Sequence, residues 1–193
     1  DVCSSDLAKL LISSNATGIY NAYEIDIATG TQKALTDSKK ESIFAVVYVP
    51  GTYDFLYASD KGGNENDHLY LQRTDGSTRE LTTGPKEKAD FLRWADDNKA
   101  FYYTSNLRDP RYFDLYLMDT ASWKPKMIHK NEKGYDISGV SGDGSQMVMT
   151  RQITTSSSEL FLTDLRTGQT KMITTEGAGS FNTFQTLSAK EHR

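Results

Sequence analysis

The sequence predicts an all-β fold built by repetition, on three observations. Four short segments align at spacings of 47, 46 and 45 residues: Asn21-Ala22-Tyr23-Glu24, His68-Leu69-Tyr70-Leu71, Asp114-Leu115-Tyr116-Leu117 and Glu159-Leu160-Phe161-Leu162. Around them, β-branched and aromatic runs alternate with turns rich in Gly, Asn and Asp, the pattern of antiparallel strands. No window shows the apolar i, i+3, i+4, i+7 stripe, bounded by caps, that a helix requires.

Each repeat carries the same parts in the same order. After the aligned segment comes a turn: Ala28-Thr29-Gly30, Thr74-Asp75-Gly76, Thr120-Ala121-Ser122 or Arg166-Thr167-Gly168. A short strand follows, ending Leu35-Thr36, Leu81-Thr82, Ile128-His129 or Ile173-Thr174. Upstream lies a further matching set, Leu11–Asn15, Leu56–Asp60, Tyr102–Asn106 and, more loosely, Met147–Arg151. Four strands in ~40–45 residues make a β-propeller blade. The expected architecture is therefore an incomplete β-propeller of about four blades, each of four antiparallel strands. A β-sandwich also has short, regularly spaced strands, but it does not require one sequence to recur. Blades do, because each buries both faces of its sheet against its neighbours.

Lettering the strands of a blade A (innermost) to D (outermost) gives units of about 8–36, 44–82, 91–129 and 135–174. Unit two has its A strand at Phe44–Val49 and B at Asp54–Ser59; C is His68–Gln72 and D is Thr78–Leu81. Unit three has A at Phe91–Trp94 and B at Ala100–Ser105; C is Phe113–Met118 and D is Lys126–His129. Unit four has A at Ile137–Val140 and B at Gln146–Arg151; C is Leu160–Asp164 and D is Thr170–Ile173. Unit one shows B, C and D without an A strand, and Phe181–Leu187 reads as strand A of a fifth unit. Asp1–Leu7 fits none of this and reads, codon by codon, as the end of a sequencing adapter translated in frame. It is expected to join no sheet.

Composition narrows the function classes. The 193 residues hold 22 basic and 26 acidic side chains, a formal net charge of −4, with one Cys. No apolar run reaches the ~18 residues of a membrane-spanning helix. The absence of a basic block argues against nucleic acid and against a polybasic membrane patch. One Cys makes no internal disulfide, and no Cys/His cluster has zinc spacing. The chemical vocabulary is equally sparse. Gly139-Val140-Ser141-Gly142-Asp143 approaches G-x-S-x-G but ends in Asp and sits between strands A and B, where a hairpin turn belongs. His68, His129 and His192 fall on separate elements, so no Ser/His/Asp arrangement forms; His129 reads as a surface side chain. Asp60–Asp67 is rich in oxygen ligands but breaks the calcium-loop pattern. Asn15-Ala16-Thr17 matches a glycosylation acceptor, a tripeptide short enough to occur by chance. Neither a metal nor a cofactor is expected.

Loop length is more informative. Strand alternation puts B–C and D–A connections on one face of the disc and A–B and C–D turns on the other. The A–B turns are short, as at Pro50–Tyr53 and Gly142–Ser145. The B–C connections, Asp60–Asp67, Asn106–Tyr112 and Gln152–Ser158, are longer and varied, which is where binding concentrates on a rigid scaffold. Candidate contact residues are therefore Asn64, Glu65, Arg108, Asp109 and Arg111, the arginines being suited to bidentate recognition of carboxylates.

The residues also resemble a family. Leu11–Tyr23, Asp60–Tyr70 and especially Asn106–Tyr116 followed by Lys130–Asp136 look like propeller blades of bacterial prolyl oligopeptidase-family serine peptidases. Ser141-Gly142-Asp143-Gly144 is similar to the Ser-Pro-Asp-Gly turn that this family shares with TolB-type propellers, with Gly142 in place of Pro. The resemblance covers Ala8 to about Leu187. It implies an N-terminal propeller that screens peptide substrates for an α/β-hydrolase domain supplying Ser, Asp and His. This chain carries no catalytic residue in that reading and is inactive alone. Its partners would be the peptide and its own hydrolase domain, in a periplasmic or secreted setting. The alternative is a TolB-like periplasmic propeller acting as a protein-interaction module. A carbohydrate-active propeller, which would want carboxylates converging on the ring centre, is a third reading.

Overall fold

The computed structural model describes residues 2–3 and 8–174. Among them are sixteen strands and no helix, arranged as four separate four-stranded sheets. Blade one holds β1 (Val2–Cys3), β2 (Lys9–Ser14), β3 (Asn21–Asp26) and β4 (Gln32–Ala34). Blade two holds β5 (Phe44–Tyr48), β6 (Phe55–Ser59), β7 (His68–Gln72) and β8 (Thr78–Glu80). Blade three holds β9 (Ala89–Trp94), β10 (Ala100–Asp109), β11 (Tyr112–Asp119) and β12 (Lys124–His129). Blade four holds β13 (Asp136–Val140), β14 (Gln146–Thr154), β15 (Ser157–Asp164) and β16 (Thr170–Met172). Every sheet pairs its strands antiparallel and in chain order, as an incomplete all-β propeller does.

The apolar core lies between the sheets. Leu11, Ala22, Tyr48, Phe55 and Tyr57 fill the junction of blades one and two. Leu56, Leu69, Leu71, Phe101, Tyr103 and Met118 fill that of blades two and three. Tyr102, Leu115, Ile137, Met147, Met149 and Phe161 fill the third junction. This explains why the second strands read as unbroken apolar runs. In Phe55-Leu56-Tyr57 and Phe101-Tyr102-Tyr103, alternate side chains leave opposite faces of the sheet, and both faces are covered.

The C–D turns close by positive-φ residues. Gly30 and Gly168 adopt φ of 70° and 73°, and each donates its N–H to the aspartate four residues back. In blade three Trp123 takes that place at φ 53° and donates to Asp119 O at 2.7 Å, so an L residue carries the left-handed strain. On the A–B face, Asp96 N–H donates to Gly142 O at 3.0 Å, joining the turns of blades three and four. A Cβ on Gly142 would stand 1.7 Å from Asp96 Oδ1, the end of an exposed side chain that would have to swing aside.

Three expectations need correction, and one falls on residues that are not described. Val2–Cys3 does join a sheet: β1 pairs with β2, Val2 opposite Leu11 and Cys3 opposite Leu10, in the innermost position of blade one. An open strand edge offers main-chain donors and acceptors to any extended segment, whatever its side chains. The Asn106–Tyr112 and Gln152–Ser158 segments are not loops but the ends of projecting hairpins, within β10–β11 and β14–β15. His129 is half-buried rather than a surface side chain, and burial lowers its pKa below 6.5 against an opposing pull from Asp114. Phe181–Leu187 lies outside the described residues.

Candidate functional site

The B–C face is built around one recurring position. The position of each third strand that aligns with Asn21 is polar, and in the first three blades it is buried. In blade one, Asn21 Oδ1 accepts from Ser38 N at 2.7 Å and Thr36 Oγ1 at 2.9 Å, and its amide donates to Ser38 O. His68 Nδ1 lies 2.6 Å from Glu80 Oε1 in blade two. The aligned position in blade three is Asp114, which is fully buried, and in blade four it is Glu159, paired with Arg151 across the hairpin. A buried polar group must find partners: Asn21 and Asp114 find them on the chain leaving for the next blade, while His68 and Glu159 pair with the neighbouring strand. The four aligned segments displayed this position. What pointed to its role was polarity ahead of an apolar strand.

Blade three carries the most elaborate version. Arg108 forms a bidentate pair with Asp114, Nε to Oδ2 at 2.7 Å and Nη2 to Oδ1 at 2.8 Å, and also donates to Asn131 O at 3.2 Å. Asn131 N donates back to Asp114 Oδ1 at 2.7 Å, while its side-chain amide donates to Phe113 O and Tyr135 O. The base of the hairpin is fixed from the other side by Asn106, whose Oδ1 accepts from Lys88 N at 2.7 Å. Asp114 thus fastens the hairpin to the connection that enters blade four. At the tip, Arg111 donates Nε and Nη2 to Asp109 at 3.0 and 2.8 Å. These bonds hold the Asp109 carboxyl well below the usual carboxylate range. The guanidiniums of Arg111 and Arg108 lie 5.1 and 5.8 Å from the Tyr112 ring centre.

The structure therefore separates the two arginines. Arg108 is committed to Asp114 and shapes the hairpin. Arg111, 73% exposed, stands at the tip with Asp109. Asn64 and Glu65 are exposed on the Asp60–Asp67 loop of blade two. Glu65, at φ 59°, donates its N–H to Asp60 Oδ2 at 2.9 Å, and Asn64 Oδ1 accepts from Asn66 N. That loop is tethered by Lys61 to Glu80 at 2.9 Å and by Gly62 N–H to Glu41 at 3.0 Å. Burial pushes the Glu80 pKa up, but Lys61 and His68 outweigh it and hold the carboxyl below its ordinary value.

Between blades three and four, aromatic rings and cations succeed one another. A Cβ on Gly134 would meet the Tyr112 ring at 3.1 Å. Tyr135 stacks on Phe161 with ring centres 4.7 Å apart, and Arg151 lies 5.7 Å from each ring. Tyr112, Tyr135, Arg151 and Glu159 were not among the sequence candidates. Their participation depends on which residues the hairpins bring over the interblade connection.

Comparison with known proteins places this face in context. Residues 45–157 match the model of the dipeptidyl peptidase IV (DPP IV) N-terminal region. Dipeptidyl aminopeptidase BIII of Pseudoxanthomonas mexicana is 32% identical over 87 residues, 44% of this chain and 12% of that protein's length. Among solved structures, TolB from Acinetobacter baumannii superposes on 90% of this chain and 42% of its own at 22% identity, with a TM-score of 0.64. Prolyl oligopeptidase B from Galerina marginata does so on 89% of this chain and 26% of its own at 12% identity, with a TM-score of 0.66. At such identities the structural likeness establishes the propeller fold, shared by TolB-type proteins and prolyl oligopeptidases. The family model goes further, since it matches more than half of the residues, and the chain belongs to the dipeptidyl peptidase IV N-terminal-region family.

Proposed function

We propose that this chain is the substrate-screening propeller of a prolyl oligopeptidase-type serine peptidase. In this reading it positions peptides for an α/β-hydrolase domain that supplies the Ser, Asp and His, and it is inactive alone. The observation that carries the reading is the hairpin of blade three. A surface that merely decorates a scaffold does not need a buried bidentate ion pair beneath it, whereas a surface that must present Arg111 and Asp109 in fixed positions does. Family membership supports the same role, since the matched region is the N-terminal part of a peptidase. Arg111 and Asp109 are the groups proposed to meet peptide termini or an acidic residue of the hydrolase, with Asn64 and Glu65 contributing from blade two. Arg108 acts as a positioning residue.

The test is Arg111→Ala in the full-length peptidase. The expected result is a raised KM for peptides with little change in kcat, because the residue binds substrate without touching the reacting atoms. Arg108→Lys, which keeps the charge and loses the bidentate geometry, is expected to show a weaker form of the same shift. Unchanged KM in both variants refutes the role of this hairpin.

A further inference from the structure

Each junction between blades is made in the same way. The earlier blade gives one face of its sheet, Leu56, Leu69 and Leu71 in blade two and Tyr102 and Leu115 in blade three. The later blade gives the opposite face, Phe101 and Tyr103 in blade three and Met147, Met149 and Phe161 in blade four. The first is a leading face and the second a trailing face. Among the described residues the three apolar clusters join consecutive blades, and none joins blade four to blade one. Blade four is left with a leading face of Val148, Leu160 and Leu162. Val148 lies opposite Leu162 as Leu56 lies opposite Leu71, and Leu160 aligns with Leu69 and Leu115. Blade one is left with a trailing face of Leu10, Ile12 and Ile25 around Tyr23; Ile12 lies opposite Tyr23 as Tyr103 lies opposite Tyr116. Apart from Tyr23, which is buried, these residues are only half-buried, whereas Leu56, Leu69 and Leu115 are 0% exposed.

From this equivalence we infer that the leading face of blade four docks on the trailing face of blade one in a second copy of the chain, and reciprocally, so that two arcs of four blades close one ring. The chain carries both halves of the contact, at the positions that already bury against each other where its own blades meet. Such a contact is head-to-tail, which closes a ring when the rotation per copy divides the circle and otherwise runs on as a filament. Closed propellers hold ~4–8 blades, so two copies reach a closed number and three exceed it. A face of four strands, ~17 Å long at ~4.8 Å spacing, covers ~300 Å². The ring covers four such faces, ~1,200 Å², which reaches the range of stable interfaces, whereas one junction alone does not. The closed ring, rather than an open pair, is therefore the stable species.

Assembly of this kind goes beyond peptide handling, and the two can fail separately. The test is the mass of the 193-residue chain in solution, by sedimentation and light scattering over a dilution series. The wild-type chain is expected at twice 21.6 kDa. Leu160→Glu and Ile12→Lys each put a charge into both junctions of the ring, and each is expected to weaken the dimer about a hundredfold. Mixed in equal amounts, the two variants are expected to recover the dimer to within about tenfold of the wild-type affinity. One junction then has two unaltered faces, and the other sets opposite charges together. Leu115 and Met149, the equivalents of the two positions, share one cluster. Recovery also shows that both variants fold. A wild-type monomer overturns the proposal and leaves the faces to a partner other than a second copy. A dimer that survives either variant alone overturns it too, since that is the behaviour of a face packing on its own kind. So do larger species that grow with concentration, which mark a contact that does not close, and a mixture that stays monomeric.

Discussion

Replacing Asp114 by Ala tests whether one buried carboxylate organises the B–C face. Its oxygens accept two bonds from Arg108 and one from Asn131 N–H, and its side chain is fully buried. Removing them leaves two groups to be accounted for. The Arg108 side chain is a quarter exposed and regains water, so its lost bonds are partly replaced. Asn131 is 2% exposed, and its N–H is left buried without an acceptor. An unsatisfied buried donor costs about 1–3 kcal/mol, and the cavity left by the carboxylate adds to this, giving a loss of about 2–3 kcal/mol. For a chain of this size each kcal/mol lowers Tm by about 2–4 °C, so the melting point should fall by about 5–10 °C. Circular dichroism melts supply the total, and amide exchange should rise most across 106–112 and 130–135. Asp114→Asn, which keeps one acceptor for Asn131, is expected to lose about 1 kcal/mol. A loss for Asp114→Ala below about 0.5 kcal/mol, the range of ordinary surface changes, would refute the idea that this residue anchors the face.

Two further outcomes are expected. Gly142→Ala should cost no more than about 0.5 kcal/mol, because the new Cβ meets only the ends of the Asp96 and Arg93 side chains, which can swing aside; a loss above about 1 kcal/mol in urea unfolding, relieved by adding Asp96→Ala, would show instead that Asp96 is held in place. Burial, with the nearby Glu80 carboxylate adding to it, pushes Tyr57 and Tyr70 up to about 12 from 10.0. The folded state then holds protons that the unfolded state releases, so this contribution is complete below about pH 10 and is lost as pH climbs toward 12; absorbance of tyrosinate near 295 nm should therefore develop late and together with unfolding, and normal titration at 10 in the folded chain would contradict it.

The repeat made the sheets legible because every blade meets the same surroundings and so carries the same apolar positions. Phe101-Tyr102-Tyr103 could be read as a strand covered on both faces, which is what the two flanking clusters show. The projecting halves of the hairpins were not legible, for a physical reason. Beyond Ser105 and Arg151 the strands leave the core, no face is buried, and apolar alternation disappears. Main-chain pairing such as Asp109 with Tyr112 and Gln152 with Ser158 then holds the hairpin, and such pairing leaves little mark in the side chains. Proline and paired charges at 108–111 resemble loop chemistry for the same reason that they protect an edge. Among the site candidates, Arg108 could not be told from Arg111. That distinction depends on Asp114, six residues on, lying within reach of Arg108. Val2–Cys3 was missed because a two-residue strand needs only a free edge.

The placement of apolar clusters between sheets rather than within them has a consequence for how the molecule comes apart. Blades two and three each contribute side chains to two clusters, one on either side. Neither can loosen without stripping a wall from both adjoining compartments, so the natural unit of cooperative opening is a pair of neighbours rather than a single repeat. The same arrangement limits how such a chain can be lengthened or shortened. Removing blade two would bring the Leu11 face of blade one against the Phe101 face of blade three, two surfaces that never grew up together. A viable deletion would have to take matching halves of two blades, cutting along the compartments instead of along the sheets.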